Sequence, residues 1–424
     1  MLLIITPTKF LSAVYPLKTH KEQTGILTKI VTLEDVNANY TEGDAAERVK
    51  RCIADLYQRE GHRFVLLVGD SDIFPVRYTK TDRANADACN TAFYPTDLYY
   101  AALFRQDGSF DDWDANHNGY YGELQGETHT GRINVDEVSL EPVVAVGRVP
   151  ASTPEEVKCY VDKVISYEQN SYHADWAKNA LLMATNDPFP EACEVMERIA
   201  REDLPGYSCT ILSSNECTCT SAGSLTPEAI TQNINSGIGL VGFIGHGSWD
   251  SLCLIHDCID HPLYWGIRDI PQLTNTTMLP IMFASACNTA AFSIVPPYDG
   301  YTDVNGSNHN GTNNREKFPS TPPQPSCTQP LLDPDDDLAT NLTVRTNAGV
   351  VAYLGIVTGM QYYEPLEYFF HAVPTRNTVG EAWQYMVKHY YEVFGMPGSL
   401  SRPDWEAVAR VHQPWKITLC GDPS

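Results

Sequence analysis

The chain has no apolar run near the roughly 20 residues that cross a bilayer, so no membrane-spanning segment is expected. Positive charge is scarce as well: 29 Lys and Arg stand against 53 Asp and Glu, for a formal net charge of −24. Phosphate backbones need clustered cations, so nucleic acid is excluded as an expected partner, and anionic membrane surfaces with it. Bound cations remain compatible, because acidic loops attract them. The opening MLLIITPTKF has no basic segment ahead of a long apolar one and reads as a buried strand rather than a signal peptide. The 12 cysteines contain no C-x-x-C knuckle, and Cys217-Thr-Cys219 is too tight for one, so a structural zinc site is not expected. The G-x-S-x-G elbow of serine hydrolases is missing, and no repeat of solenoid or propeller period occurs.

What is present is a long α/β rhythm. A chain of 424 residues exceeds one compact core and implies two or more. Apolar runs suited to strands buried on both faces (LLIIT, LTKIVTL, FVLLVGD, PVVAVG, ALLMATN, GLVGFIG, PIMFASA and GVVAYLG) alternate with helical patterns, which predicts mainly parallel sheets flanked by helices. A helix from Pro154 ends near residue 170, placing a boundary there. We therefore expect an N-terminal α/β subdomain over 1–170 and a second over 171–424. The stretch 296–337 breaks the rhythm. It is rich in Pro, Asn, Gly, Ser and Thr, and reads as a functional or disordered insertion. Five N-glycosylation triplets, at Asn39, Asn275, Asn305, Asn310 and Asn341, carry little weight alone.

Ligands of open parallel sheets bind beyond the carboxyl ends of the strands. In the second block those ends carry His246-Gly247 after GLVGFIG, Cys287-Asn288 after PIMFASA, and Asp187 after ALLMATN. Thiol catalysis needs this set of residue types. The thiolate is the attacking species, an imidazole can ionise it or protonate a leaving amine, and a carboxylate can orient the imidazole. The N–H groups of Gly247 and Cys287 could receive an oxyanion. The pattern alone leaves open an inert core thiol at Cys287 and a simple turn at His246.

The segment DDWDANHNGYYGE carries a second signal. Asp114, Asn116 and Asn118 recur at every second position, Gly119 turns the chain, and Glu123 follows. Alternating oxygen donors around a glycine turn suit calcium, with the carbonyl of Tyr120 as a further donor. The glutamate comes too early for an EF-hand, so a structural calcium loop is expected, with a cation-free Asp/Asn/Gly turn as the alternative.

In order along the chain, LLVGDSDIFPVRY, TDLYYA, VAVGRVPASTPEEVKCYVDKVISYE, IGHGSWD, FASACNTAAF, GVVAYLG and CGDPS resemble the gingipains, peptidases of caspase-like fold. The resemblance implies a cysteine endopeptidase acting on protein or peptide substrates, with Cys287 as nucleophile, His246 as acid/base and Asp187 as third member where some relatives have Glu. It implies bound calcium and a secreted or cell-surface setting, and no organic cofactor. Arginine-specific relatives place Asp at the base of the substrate pocket. Here Cys193 takes that place, flanked by Glu191 and Glu194, while Met360 and Tyr362 fall at wall positions, so the residue preferred before the cut stays open. Two rival functions remain: a transpeptidase on the same scaffold, and a non-catalytic or latent calcium-stabilised binding module. The 296–337 insertion is expected to be a lid, a substrate wall, an autoprocessing site or a solvated excursion.

Overall fold

The computed structural model describes residues 1–82, 92–214, 223–255, 263–329 and 337–424. Cys89, Cys217, Cys219, Cys258 and the acidic end of the insertion (330–336) lie outside the described residues.

Eleven strands form one sheet. In chain order they are β1 (Leu2–Thr6), β2 (Thr28–Thr32), β3 (Phe64–Val68), β4 (Ala145–Val149), β5 (Asn179–Ala184), β6 (Ser208–Ser213), β7 (Gly223–Ser224), β8 (Leu240–Ile244), β9 (Ile281–Ser285), β10 (Ala352–Ile356) and β11 (Ile417–Cys420). Their spatial order is β7-β6-β5-β8-β9-β10-β11-β4-β3-β1-β2. Every pairing is parallel except that of β11 with β10. The apolar runs form parallel strands because helices cover both faces; β1 and β3–β5 are almost wholly buried.

Helix starts follow from local chemistry. Asp44 accepts from Glu47 N to open α1 (Ala45–Glu60). Thr153 forms a reciprocal capping box with Glu156, with Pro154 in the first turn, to open α2 (Pro154–Asn170). Further along come α3 (Ala192–Arg198), α4 (Pro227–Gly237), α5 (Leu338–Thr343), α6 (Glu364–Ala372), α7 (Val379–Phe394) and α8 (Trp405–His412). No described helix is long and apolar enough to cross a membrane.

The two halves are joined edge to edge by the last strand. β11 lies antiparallel to β10 of the second half and pairs in parallel with β4 of the first, at Cys420 and Arg148. Beside that seam Arg148 donates to both oxygens of Asp97, at 2.6 and 2.9 Å, and Thr418 adds a third bond at 3.1 Å. One buried apolar cluster runs from Leu2 to Leu419 across both halves.

The insertion is ordered over its described part and packs on the first half. It holds a small ribbon of Tyr301–Thr302 and Asn308–His309. Val76 N donates to Cys327 O at 2.7 Å, Gln329 N to Ser71 O at 3.2 Å and Phe93 N to Pro296 O at 2.9 Å.

Candidate active site

Within the second half β5, β6 and β7 run one way from the centre, and β8, β9 and β10 the other. The order therefore reverses between β5 and β8, and such a reversal opens a crevice at the carboxyl ends. Asp187 follows β5, His246 follows β8 and Cys287 follows β9, so all three stand at this edge.

Local geometry draws them together. Thr185 Oγ1 donates to Asp187 O at 2.7 Å and fixes that turn. Asp187 Oδ2 lies 3.4 Å from His246 Nε2, with the two side chains 47% and 33% exposed. His246 and Gly247 pair antiparallel with Cys253 and Leu252, at the start of a three-stranded ribbon. Gly247 is pressed against the Cys287 turn: a Cβ there would meet Ala286 Cβ at 2.8 Å and Cys287 O at 2.9 Å. Only glycine permits that approach. Asn288 takes the left-handed conformation, φ 59°, and its N–H donates to Thr358 O at 3.0 Å, so the chain turns sharply just after Cys287. Cys287 is a partly exposed free thiol. Met360 N–H points at its sulfur from 3.2 Å.

The remaining pocket candidates divide. Met360 touches Cys287 directly. Tyr362 lies half-buried with the Arg410 guanidinium 4.0 Å from its ring centroid. Glu194 is exposed on α3, whereas Cys193 on the same helix is 1% exposed and disulfide-bonded. Trp249, three residues beyond His246 and not singled out from sequence, is 49% exposed although its carbonyl accepts from Leu338 N at 2.7 Å.

The acidic loop folds on itself in the first half. Asp114 accepts from Asn118 N and Gly119 N at 2.9 and 3.1 Å. The side-chain amides of Asn116 and Asn118 donate to Glu123, whose other oxygen meets Lys80. Tyr120 N donates to Asn118 Oδ1 at 2.9 Å. Among the described residues no three His, Cys, Asp or Glu side chains form a ready metal cage. One observation favours a cation all the same. Asp136 is fully buried, accepts from Glu123 N at 2.8 Å, and among the described residues its Oδ1 has no hydrogen-bond partner. Burial above all, then the neighbouring charges of Glu123 and Asp114, push its carboxyl up to about 7. A buried carboxylate beside two others is what an ion would relieve, and oxygen donors of this kind are compatible with calcium.

A family model described as "Peptidase family C25" matches residues 1–424. Among curated proteins, Gingipain R2 of Porphyromonas gingivalis strain W83 is 24% identical over 297 residues, covering 69% of this chain and 32% of the relative. Gingipain R1 of the same species is 24% identical over 302 residues, covering 70% and 24%. The chain thus spans a third or less of these relatives' length. Among solved structures, "the Arg specific cysteine proteinase gingipain R" superposes with a TM-score of 0.62 at 19% identity, covering 100% of this chain and 77% of the other. The fold is accordingly the caspase-like one.

Proposed function

The chain belongs to peptidase family C25, and on that premise we propose that it is a cysteine endopeptidase in which Cys287 attacks the peptide carbonyl and His246 moves the protons. The observation that carries this reading is the closure at Gly247, which presses the histidine loop onto the cysteine turn while Asp187 lies 3.4 Å from the imidazole. Asp187 faces Nε2, and in this reading Nδ1 carries the proton traffic of the thiol. The Cys287 thiolate adds to the carbonyl carbon, and the oxyanion is received by the N–H groups of Gly247 and Cys287. His246 then protonates the amine as the C–N bond breaks, leaving a thioester. Water, giving its proton to the same imidazole, adds to the thioester; the C–S bond breaks and the carboxylate product leaves. Met360, Tyr362 and Trp249 frame the peptide on either side.

Cleavage of a mixed fluorogenic peptide library by the wild type and by Cys287→Ala tests the reading. A loss of roughly 10³-fold or more is expected in the variant. Equal cleavage by both proteins would sink it. Added amine nucleophile separates hydrolysis from transfer.

The same proposal gives Asp114, Asn116, Asn118, Glu123, Asp136 and the Tyr120 carbonyl to a structural calcium ion. When bound, the ion neutralises the gathered carboxylates. A secreted or cell-surface setting is supported by the bridged Cys193, since disulfides persist in oxidising compartments; fractionation of the native protein tests it.

A further inference from the structure

The nucleophile reading leaves unexplained what keeps the sulfur ready. Met360 N–H approaches Cys287 Sγ to 3.2 Å from the loop that follows β10. An N–H aimed at sulfur favours the thiolate over the thiol, whereas Met360 O, 3.9 Å from the same sulfur, can accept only from the thiol, so the balance depends on how the loop is held. Asn288 N fastens one end at Thr358 O, 3.0 Å away. Gln413 Oε1 accepts from Gln361 N at the other, at 3.2 Å. Between them Lys416 grips both neighbours of Met360: its Nζ donates to Gly359 O at 2.8 Å and to Gln361 Oε1 at 2.5 Å. Ser285, 1% exposed, completes the clamp by donating Oγ to Met360 Sδ at 2.9 Å.

Lys416 is 3% exposed and belongs to the turn that leads into β11. An ammonium is costlier to bury than a neutral donor, so a lysine is an expensive choice for simply satisfying a carbonyl. Beside it lies a small, partly open pocket of about 30 Å³, lined in part by Tyr94, Thr358 and His412, so the clamp is not packed tight on every side.

We propose that Lys416 is a positioning residue for the nucleophile: by fixing residues 359 and 361 it aims the Met360 N–H at Cys287 Sγ and so sustains the thiolate. The proposal rests on the nucleophile reading for its significance, though not for its measurement. Among the described residues the titratable groups on the neighbouring elements are His246 with Asp187 behind it, Cys253 across the ribbon from His246, and Tyr362 with Arg410 and Glu364 on the α6 side. None of these is altered by the test.

The test is the pH profile of Cys287 alkylation by iodoacetamide, resolved from the other free thiols by peptide mass spectrometry. It is run on the full chain as wild type, Lys416→Met, Lys416→Gln and Ser285→Ala. The apparent thiol pKa should rise by about one unit in Lys416→Met, by less in Lys416→Gln, and by about half a unit in Ser285→Ala, with the acid limb of kcat/KM moving alike. Ser285→Ala changes no charge. A shift confined to the lysine variants therefore means that the ammonium acts through its field, and overturns the clamp. A wild-type thiol pKa in folded Lys416→Met also overturns it. If Lys416→Met fails to fold, Lys416→Gln and Ser285→Ala decide alone. Full cleavage by Cys287→Ala would defeat the nucleophile reading but leave this comparison readable.

Discussion

Each half of the sheet has its own reversal of strand order, between β5 and β8 in the second half and between β1 and β3 in the first, yet only one of the two edges is open for chemistry. At the second-half edge Asp187 and His246 keep a third to a half of their side chains in solvent. At the first-half edge the corresponding residue after β3 is Asp70, 2% exposed. Its oxygens accept from Ser71 N at 2.6 Å and from Ser152 Oγ at 3.3 Å, and Gln329 of the insertion closes over Ser71. The insertion, for which the sequence left a lid, a substrate wall, an autoprocessing site or a solvated excursion open, lies against the first-half edge in its described part. The same architecture supports a site where its strand ends face water, and a joint where they are consumed by internal hydrogen bonds.

That contrast breaks if the two edges respond alike to truncation. His246→Ala should lower kcat/KM by about 10²- to 10⁴-fold with little change in Tm. Asp70→Ala should instead destabilise by about 1–3 kcal/mol and leave kcat/KM within about twofold. Urea unfolding and peptide cleavage on the same samples check both. A large catalytic loss in Asp70→Ala would mean that the first edge takes part in the chemistry. At the seam, Asp97→Asn leaves Arg148 buried without its full counter-charge, and should cost about 3–5 kcal/mol. Because the seam lies between the edges, that loss should appear as one unfolding transition. Two separate transitions would show that the halves unfold independently.

Smaller effects sharpen the comparison. Asp187 meets His246 at 3.4 Å and stays half-exposed, so Asp187→Asn should cost only about tenfold in kcat/KM, well below the loss in His246→Ala. A loss as large as that of His246→Ala would make the carboxylate indispensable. In the first half, calcium should raise Tm by several degrees through binding the folded state alone, and Asp136→Asn should remove much of that rise. Isothermal titration reads the same site without catalysis. An unchanged calcium response in Asp136→Asn would exclude it as a ligand.

Much of this contrast was legible beforehand, for a physical reason. Strands buried on both faces write continuous apolar runs, and the residue types after them are free of that constraint, so Cys287, His246 and Asp187 stood out. β4 was displaced, since Pro142 to Val144 are apolar yet the strand runs Ala145–Val149. The helix Leu11–Gln23 was missed because Pro16 lies inside it and its apolar stripe is faint. β6 was missed because only the last two residues of SCTILS are buried. Lys416 and Asp136 had no local signal. Each acts on a segment brought to it only by the fold, and a lone lysine or aspartate reads as surface.

The weakest expected effect concerns what seals the closed edge. His309 sits in the insertion between Glu316, 2.9 Å from Nδ1, and Asp303, 3.3 Å from Nε2, with Tyr301 stacked on its ring. Burial opposes its charge, but the hydrogen bonds to Glu316 and then Asp303 outweigh it, so its pKa is raised above the ordinary 6.5. The unfolded insertion holds that proton less tightly. The contribution to stability is therefore complete below about pH 6.5 and is lost as pH rises through the raised folded value. The same two carboxylates accept from the backbone N–H groups of Asn305, Ser307, Asn310 and Gly311, so their amides report the lock. Hydrogen exchange at these positions, corrected for intrinsic rate, should show protection falling across that window in the wild type and flat in His309→Gln. Peptide cleavage should follow its own pH profile in both. If protection stays constant in the wild type, the carboxylates hold the insertion without the imidazolium. If cleavage tracks the loss of protection, the closed edge and the open one are coupled after all.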